Sequence, residues 1–213
     1  DGTKVRLVDQ DNAGVSVARN KGVAEAHSDL IAFLDADDEW HPEFLKTILD
    51  LRFEFPEACV FGTSYSFQYK DGALSQPKTS HLFETGYQGL LDNFLEILRI
   101  GLPFNSSSFA VIKSAYEVAG GFPVGIKYGE DVDFWIRLSL KDKFAYINRS
   151  LAIYHHDAEN RACDTYDKTI VEYYPVKNLV QLIKQGEIPA HFNQAAVEYI
   201  AKYQLSLANS YLY

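Results

Sequence analysis

The run Asp35-Ala36-Asp37-Asp38 closes an apolar stretch, Leu30-Ile31-Ala32-Phe33-Leu34. In extended chain Asp35 and Asp37 point to the same side. Carboxylates packed this closely repel, and a hard divalent cation such as Mg2+ or Mn2+ relieves the repulsion while leaving coordination positions for phosphate oxygens. The competing reading is a solvated acidic turn that caps a helix beginning near Pro42. A second acidic group, Gly129-Glu130-Asp131 with Asp133 close behind, opens another helix. There the helix dipole and free amides favour an ionised carboxylate, so Asp131 can accept a proton from a hydroxyl. As a plain helix cap it would do no chemistry. His155-His156-Asp157 offers imidazole nitrogen to a metal held by carboxylates, but adjacent histidines in extended chain face opposite sides and at most one reaches a given site. Arg19 and Lys21 can meet phosphate or simply coat a helix face. Trp40 and Trp135 fall near or within helical stripes and read as packing residues.

The elements that must position these groups follow from periodicity. Val5-Arg6-Leu7-Val8 reads as a short strand, and Val15, Ala18, Gly22, Val23 and Ala26 share one helical face. Leu30 to Leu34 lacks polar alternation, which predicts a strand buried on both faces of a parallel sheet, and in open α/β sheets ligands bind beyond the carboxyl ends of such strands. A helix runs from Pro42 to Pro56. Cys59 to Tyr69 reads as a strand entering the Asp71-Gly72 turn, with a loop from Gln76 to Thr85. Leu90, Leu91, Phe94, Leu95 and Leu98 form one helical stripe ended by Gly101 and Pro103. Ser107 to Ile112 is a strand, Ser114 to Ala119 a short helix, Val132 to Leu140 an amphipathic helix and Phe144 to Tyr154 the last strand. Two helices close the chain, Tyr166 to Lys184 with a break at Pro175, and Ala190 to Tyr213.

Length and charge bound the function. At 213 residues the chain makes one domain with at most a small appendage. Its 20 basic and 29 acidic residues, net −9, exclude nucleic acid or an anionic membrane surface as the main partner. A nucleotide held through a metal stays open. Cys59 and Cys163 are too few for a disulfide framework and lack zinc-ligand spacing, so they read as core thiols of a reducing compartment. No stretch approaches the ~18 apolar residues of a membrane-spanning helix. The chain begins at Asp1 and contains no Met, which suggests a processed chain or a fragment.

Taken in order, Asn12-Ala13-Gly14, Ala18-Arg19-Asn20, Ile31 to Asp38, Gly120-Gly121-Phe122, Gly129-Glu130-Asp131 and Asp133 to Arg137 resemble the family-2 glycosyltransferases, from about Val5 to His156. The resemblance implies an α/β fold of the GT-A type, a Rossmann-like α/β/α sandwich over residues 1–160, followed by a C-terminal helical extension over 161–213. It implies an inverting, metal-dependent glycosyltransferase that moves a sugar from a nucleotide-sugar donor to a saccharide, lipid-linked or protein acceptor in polysaccharide or glycoconjugate biosynthesis. Asp35-Ala36-Asp37 matches the family's Asp-x-Asp pattern. By position, Asp37 would be the main ligand of Mg2+ or Mn2+, Asp35 would contact ribose or metal-bound water, and Asp38 could replace either. His155 or His156 would stand near the metal. Asn12, Arg19, Asp35, Ala36 and Asp37 would bind the nucleotide-sugar, Asp131 would be the base with Glu130 beside it, and Pro103 to Ser108 would form the acceptor end.

The Gln-x-x-Arg-Trp motif and membrane helices of processive synthases are absent, which implies a non-processive enzyme. The resemblance places it in the cytoplasm, peripheral to the inner face of the membrane in the full-length protein. The family's opening strand and nucleotide-reading acids have no counterpart ahead of Val5, so the sandwich is expected to be N-terminally incomplete. An open sheet edge templates pairing. The chain is therefore expected to form a homo-oligomer, to cover the edge with its last helices, or to derive from a longer polypeptide. The alternative function is a non-catalytic GT-A-like domain for partner binding or assembly, which the aromatic-rich segment Ala190 to Tyr213 would serve.

Overall fold

The computed structural model describes residues 5–156 and 173–210. In chain order the elements are α1 (Val15–Glu25), β1 (Leu30–Ala32), β2 (Glu39–Trp40), α2 (Phe44–Glu54), β3 (Ala58–Gln68), β4 (Leu74–Ser75) and β5 (Gln88–Leu91), then α3 (Phe94–Leu98), β6 (Phe109–Ile112), α4 (Lys113–Val118), α5 (Glu130–Ser139), β7 (Lys143–His155), α6 (Tyr174–Gln185) and α7 (Asn193–Ser210). The strands form one mixed sheet in the order β1-β6-β3-β7-β2, with β4 on β3 and β5 on β7. Only β3 and β7 pair in parallel; the other described pairings are antiparallel.

Successive strand residues feed opposite faces of this sheet. Val60, Phe109, Val111 and Phe144 join Trp135, Leu95, Leu179 and Ala196 in the larger core under α3, α5, α6 and α7. Their neighbours Phe61, Ala110 and Ala145 join Phe44, Ile48 and Leu51 of α2 in a smaller one. The result is an α/β/α layering whose central strand, β3, is buried along Ala58 to Ser66.

Several expectations are corrected. Val5 to Val8 forms no strand. Val5 and Leu7 are 84% and 83% exposed, and Arg6 instead donates to the Glu25 carbonyl at the end of α1. Leu30 to Leu34 is not the doubly buried parallel strand. Ile31 and Phe33 point inward while Leu34 is 46% exposed, and β1 runs antiparallel to β6. The stripe from Leu90 to Leu98 divides into β5 and α3, because the Asn93 side chain accepts from the Glu96 amide at 3.3 Å and starts a new helix. Pro175 sits in the first turn of α6, where its missing N–H costs nothing, rather than breaking a longer helix. The segment Tyr166 to Glu172, Cys163, Asp157 and the end of the last predicted helix lie outside the described residues.

The hairpin at Asp71-Gly72 forms as expected, with Phe67 opposite Ser75. The outer edge of β1 carries no partner strand among the described residues. Helix α7 packs on α3 and α6, and α6 on α5, burying Ala195, Ala196 and Tyr199. No described helix is long and apolar enough to cross a membrane.

Candidate active site

Helix α1 carries the first two site residues. The Asn20 side chain donates to the Phe122 carbonyl at 2.9 Å and accepts the Phe122 amide at 3.0 Å. That close fit demands Gly121 in the left-handed region, φ +67°, since a Cβ there would lie 2.8 Å from Asn20 Oδ1. The Ala-Arg-Asn and Gly-Gly-Phe runs are thus one mechanical joint, locking α1 to the loop ahead of α5. One residue earlier, the Arg19 guanidinium is 9% exposed and donates to both oxygens of Asp35 at 2.8 Å and to Glu130 Oε1 at 3.0 Å. One terminal nitrogen is shared by both oxygens of Asp35 and the other reaches Glu130, so the two acids together fix the orientation of the guanidinium. It ties the end of β1 to the start of α5.

Helix α5 begins after Gly129, whose left-handed conformation, φ +80°, turns the chain into the helix. Asp131 is half-buried. Its Oδ2 accepts the Ser106 hydroxyl at 3.0 Å and its Oδ1 accepts the Val132 amide at 2.7 Å. Burial pushes the Asp131 carboxyl up, against the opposing pull of Arg19 and of these donors. Burial and the neighbouring Asp131 push Glu130 up to about 7, Arg19 again opposing. Desolvation here acts against the helix terminus, which favours an ionised Asp131. Asp133 has a different task. It pairs with Arg137 at 2.8 Å and accepts from Asn178 at 2.6 Å, fastening α5 to α6.

These groups open on a cleft of about 770 Å³ lined by Arg19, Asp35, Ala36, Asp37, Glu130, Asp131 and His156, with Tyr65, Phe67, Tyr154, Tyr173 and Tyr199 along its walls. Three other predicted site residues stand apart from it. Asn12 accepts the Gly14 amide at 3.2 Å on the exposed amino-terminal segment. Asp38 is turned inward, its Oδ1 accepting the His155 amide at 3.3 Å, and burial pushes its carboxyl up to about 6. The His155 ring meets Glu39 at 3.2 Å.

Among the described residues no three ligating side chains gather. Asp35 is committed to Arg19, but the exposed carboxylate of Asp37 and the imidazole of His156 line the same cleft. Those two donors suit Mg2+ or Mn2+ completed by substrate oxygens and water, since such ions accept few protein ligands when a diphosphate supplies the rest. Sequence reasoning placed Asn105 and Ser106 only within the segment Pro103 to Ser108 and missed Tyr65, Tyr173 and Tyr199, which reach the cleft through tertiary packing and carry no local signal.

A sequence model of the family described as Glycosyl transferase family 2 matches residues 1–118. The chain is 48% identical over 50 residues to an uncharacterized glycosyltransferase of Escherichia coli, YibD, covering 24% of this chain and 14% of that protein. It is 26% identical over 160 residues to the glycosyltransferase GlyA of Streptococcus pneumoniae, 71% of this chain and 22% of that protein. It is 39% identical over 64 residues to TuaG of Bacillus subtilis, a putative teichuronic acid biosynthesis glycosyltransferase, 30% and 25% respectively. The matches span a quarter or less of these relatives. Among solved structures, residues 1–349 of Staphylococcus aureus TarS in complex with UDP-GlcNAc superpose with a TM-score of 0.70 at 17% identity, over 92% of this chain and 54% of that one.

Proposed function

Since the chain belongs to glycosyltransferase family 2 and shares the GT-A fold of TarS, we propose that it acts in an inverting, metal-dependent, non-processive transfer of a sugar from a nucleotide-sugar to an acceptor hydroxyl. Residues 1–160 would form the transferase part and 161–213 its helical extension. The observation that carries this reading is Asp131 lining the cleft, accepting a hydroxyl hydrogen bond from Ser106 next to Glu130, which Arg19 ties to Asp35.

In the proposed single displacement, Asp131 takes the proton of the acceptor hydroxyl as that oxygen attacks the anomeric carbon. The bond to the diphosphate breaks on the opposite face, its electron pair leaves with the nucleotide, and the anomeric configuration inverts. The tie from Arg19 to Glu130 fixes the first turn of α5, and so the base, relative to Asp35. A divalent cation, when bound, would be held by Asp37 and His156 and would supply charge that neutralises the leaving diphosphate. The UDP-GlcNAc complex of TarS supports a nucleotide-sugar donor.

Titration calorimetry of the full-length protein with Mn2+ and UDP tests the donor side. Each ligand should tighten binding of the other, and Asp37→Ala should remove that coupling. Coupling that survives in Asp37→Ala would return Asp37 to the role of a turn residue.

A further inference from the structure

Resting on the transferase reading above, we propose that Ser107, joined through the chain to Ser106, is a positioning residue that holds the strand-end acids in register with Asp131 and passes the filling of the donor side on to the first turn of α5. The first support is a fork within one dipeptide. The Asp35 amide donates to the Ser107 hydroxyl at 3.0 Å, and the Ser106 hydroxyl donates to Asp131 at 3.0 Å. Ser106 lines the cleft while Ser107 is wholly buried, so a ligand can meet the first and not the second. Ser107 therefore acts only through the groups it holds.

The second support is that this route closes a ring. Asp35 is held twice, its carboxylate by Arg19, which also grips Glu130, and its main chain by Ser107. Both routes end on the first turn of α5. A lone ion pair lets its two ends pivot about a long side chain, whereas a second tether from the main chain removes that freedom. The Asp35 carbonyl accepts the Asp38 amide at 3.1 Å, so the turn that presents Asp37 to the cleft hangs from the same point.

The third support is the stiffness of the anchor. Trp40 Nε1 donates to the Ser107 carbonyl at 2.5 Å, and its indole stacks on Phe44 at 4.5 Å. The Ser107 amide donates to Asn105 Oδ1 at 3.1 Å, and the Ser108 carbonyl accepts the Thr63 amide of β3 at 2.9 Å. Both main-chain polar groups of Ser107 are thus engaged, and the segment is pinned to the central strand. The hydroxyl is the one group of Ser107 that reaches the acidic turn by a hydrogen bond of this kind, and without it the Asp35 amide loses that acceptor in a half-buried place. When Asp37 engages a ligand, the settling of its turn is passed through Ser107 and Ser106 to Asp131.

Hydrogen exchange read by mass spectrometry on the full-length protein tests this, without ligand and with Mn2+ and UDP, in the unmodified protein and in Ser107→Ala, Ser106→Ala and Thr79→Val. Thr79→Val is the comparator, since it removes a wholly buried hydroxyl that donates to the Leu102 carbonyl at 2.7 Å and bonds to neither acidic run. Without ligand, Ser107→Ala should speed exchange about fivefold or more over both 35–38 and 129–133, the scale of one lost hydrogen bond. Ser106→Ala should do so over 129–133 only, and Thr79→Val over neither. Mn2+ and UDP should slow exchange over 129–133 about tenfold in the unmodified protein and in Thr79→Val, but about threefold or less in Ser107→Ala and in Ser106→Ala, since either breaks the link. Full protection of 129–133 in either serine variant, its equal loss in Thr79→Val, or loosening of 35–38 alone in ligand-free Ser107→Ala would each overturn the proposal. Loss of the underlying transferase reading would show separately, as no UDP binding by calorimetry in the unmodified protein.

Discussion

Asp35 to Asp38 and Glu130 to Asp133 each place three carboxylates within four residues, and the structure uses them in opposite ways. The first run is a turn, closed by the Asp38 amide on the Asp35 carbonyl at 3.1 Å. It distributes its acids to three surroundings: Asp35 onto Arg19, Asp37 into the open cleft, and Asp38 inward against the His155 amide. The second run is the first turn of a helix, where residues diverge by about 100°. Glu130 meets Arg19, Asp131 meets Ser106, and Asp133 meets Arg137 and Asn178. The strand-end acids keep one solvated carboxylate able to gain a cation. At the helix start Glu130 and Asp131 both lie beside the Arg19 guanidinium, so they are suited to holding and releasing a proton. Burial and countercharge, not the number of acids, divide the tasks.

The largest effect should come from the proton-holding side. In the full-length protein Asp131→Asn should lower turnover by ~10²–10⁴-fold, the range a positioned general base supplies, while UDP and Mn2+ binding by calorimetry stay near normal. The asparagine oxygen can still accept from the Val132 amide while its NH2 group donates to the Ser106 hydroxyl oxygen, so the local geometry survives and the proton acceptor is lost. Turnover within a few-fold of normal would erase the contrast between the two runs and leave Asp131 as a helix cap.

Much of this division was legible in residue types, and the reasons for the rest are specific. Both acidic runs, the amphipathic faces of α2 and α5 and the long β3 follow from periodicity that tertiary packing did not override. Leu30 to Leu34 misled because an apolar run carries no mark of its sheet partner. The antiparallel contact with β6 is made by residues about 80 positions away. Val5 to Val8 has strand-forming residues but gains no ladder among the described strands, and propensity without pairing does not make a strand. Arg19 was open to two readings; its burial between Asp35 and Glu130 decides against a solvated helix face. Tyr65, Tyr173 and Tyr199 were invisible, since a wall contributed by β3, the start of α6 and α7 exists only once the chain is folded.

A smaller effect probes the shared guanidinium. Removing its charge with Arg19→Gln leaves Glu130 and Asp131 next to each other without a counterion, which favours their protonated forms. The acidic limb of the kcat/KM profile should therefore move to higher pH, by about 1–3 units on the scale of a lost neighbouring charge. The pair titrates as a unit, so the limb reports the pair rather than either residue. An unmoved limb with unchanged turnover would reduce Arg19 to a packing residue and make the acids of α5 independent of the end of β1.

The smallest effect is on folding, and its sign separates the two regions most sharply. Glu130 is 8% exposed and its carboxyl is pushed from an ordinary 4.5 up to about 7, chiefly by burial. The folded state thus binds this proton more tightly than the unfolded chain does. Stability from this group is full below about 4.5, falls as pH rises through the window up to about 7, and stays low above it. Glu130→Gln removes the titration while its amide oxygen can still accept from Arg19. Its melting temperature relative to the unmodified protein should therefore rise between pH 5 and pH 8. The gain should be on the order of 1–3 kcal/mol, or several degrees for a chain of this size. Differential scanning calorimetry at the two pH values measures it directly. Should Glu130→Gln instead be the less stable form at pH 8, the ion pair with Arg19 outweighs burial, and the helix-start acids would then hold charge as firmly as Asp35 does.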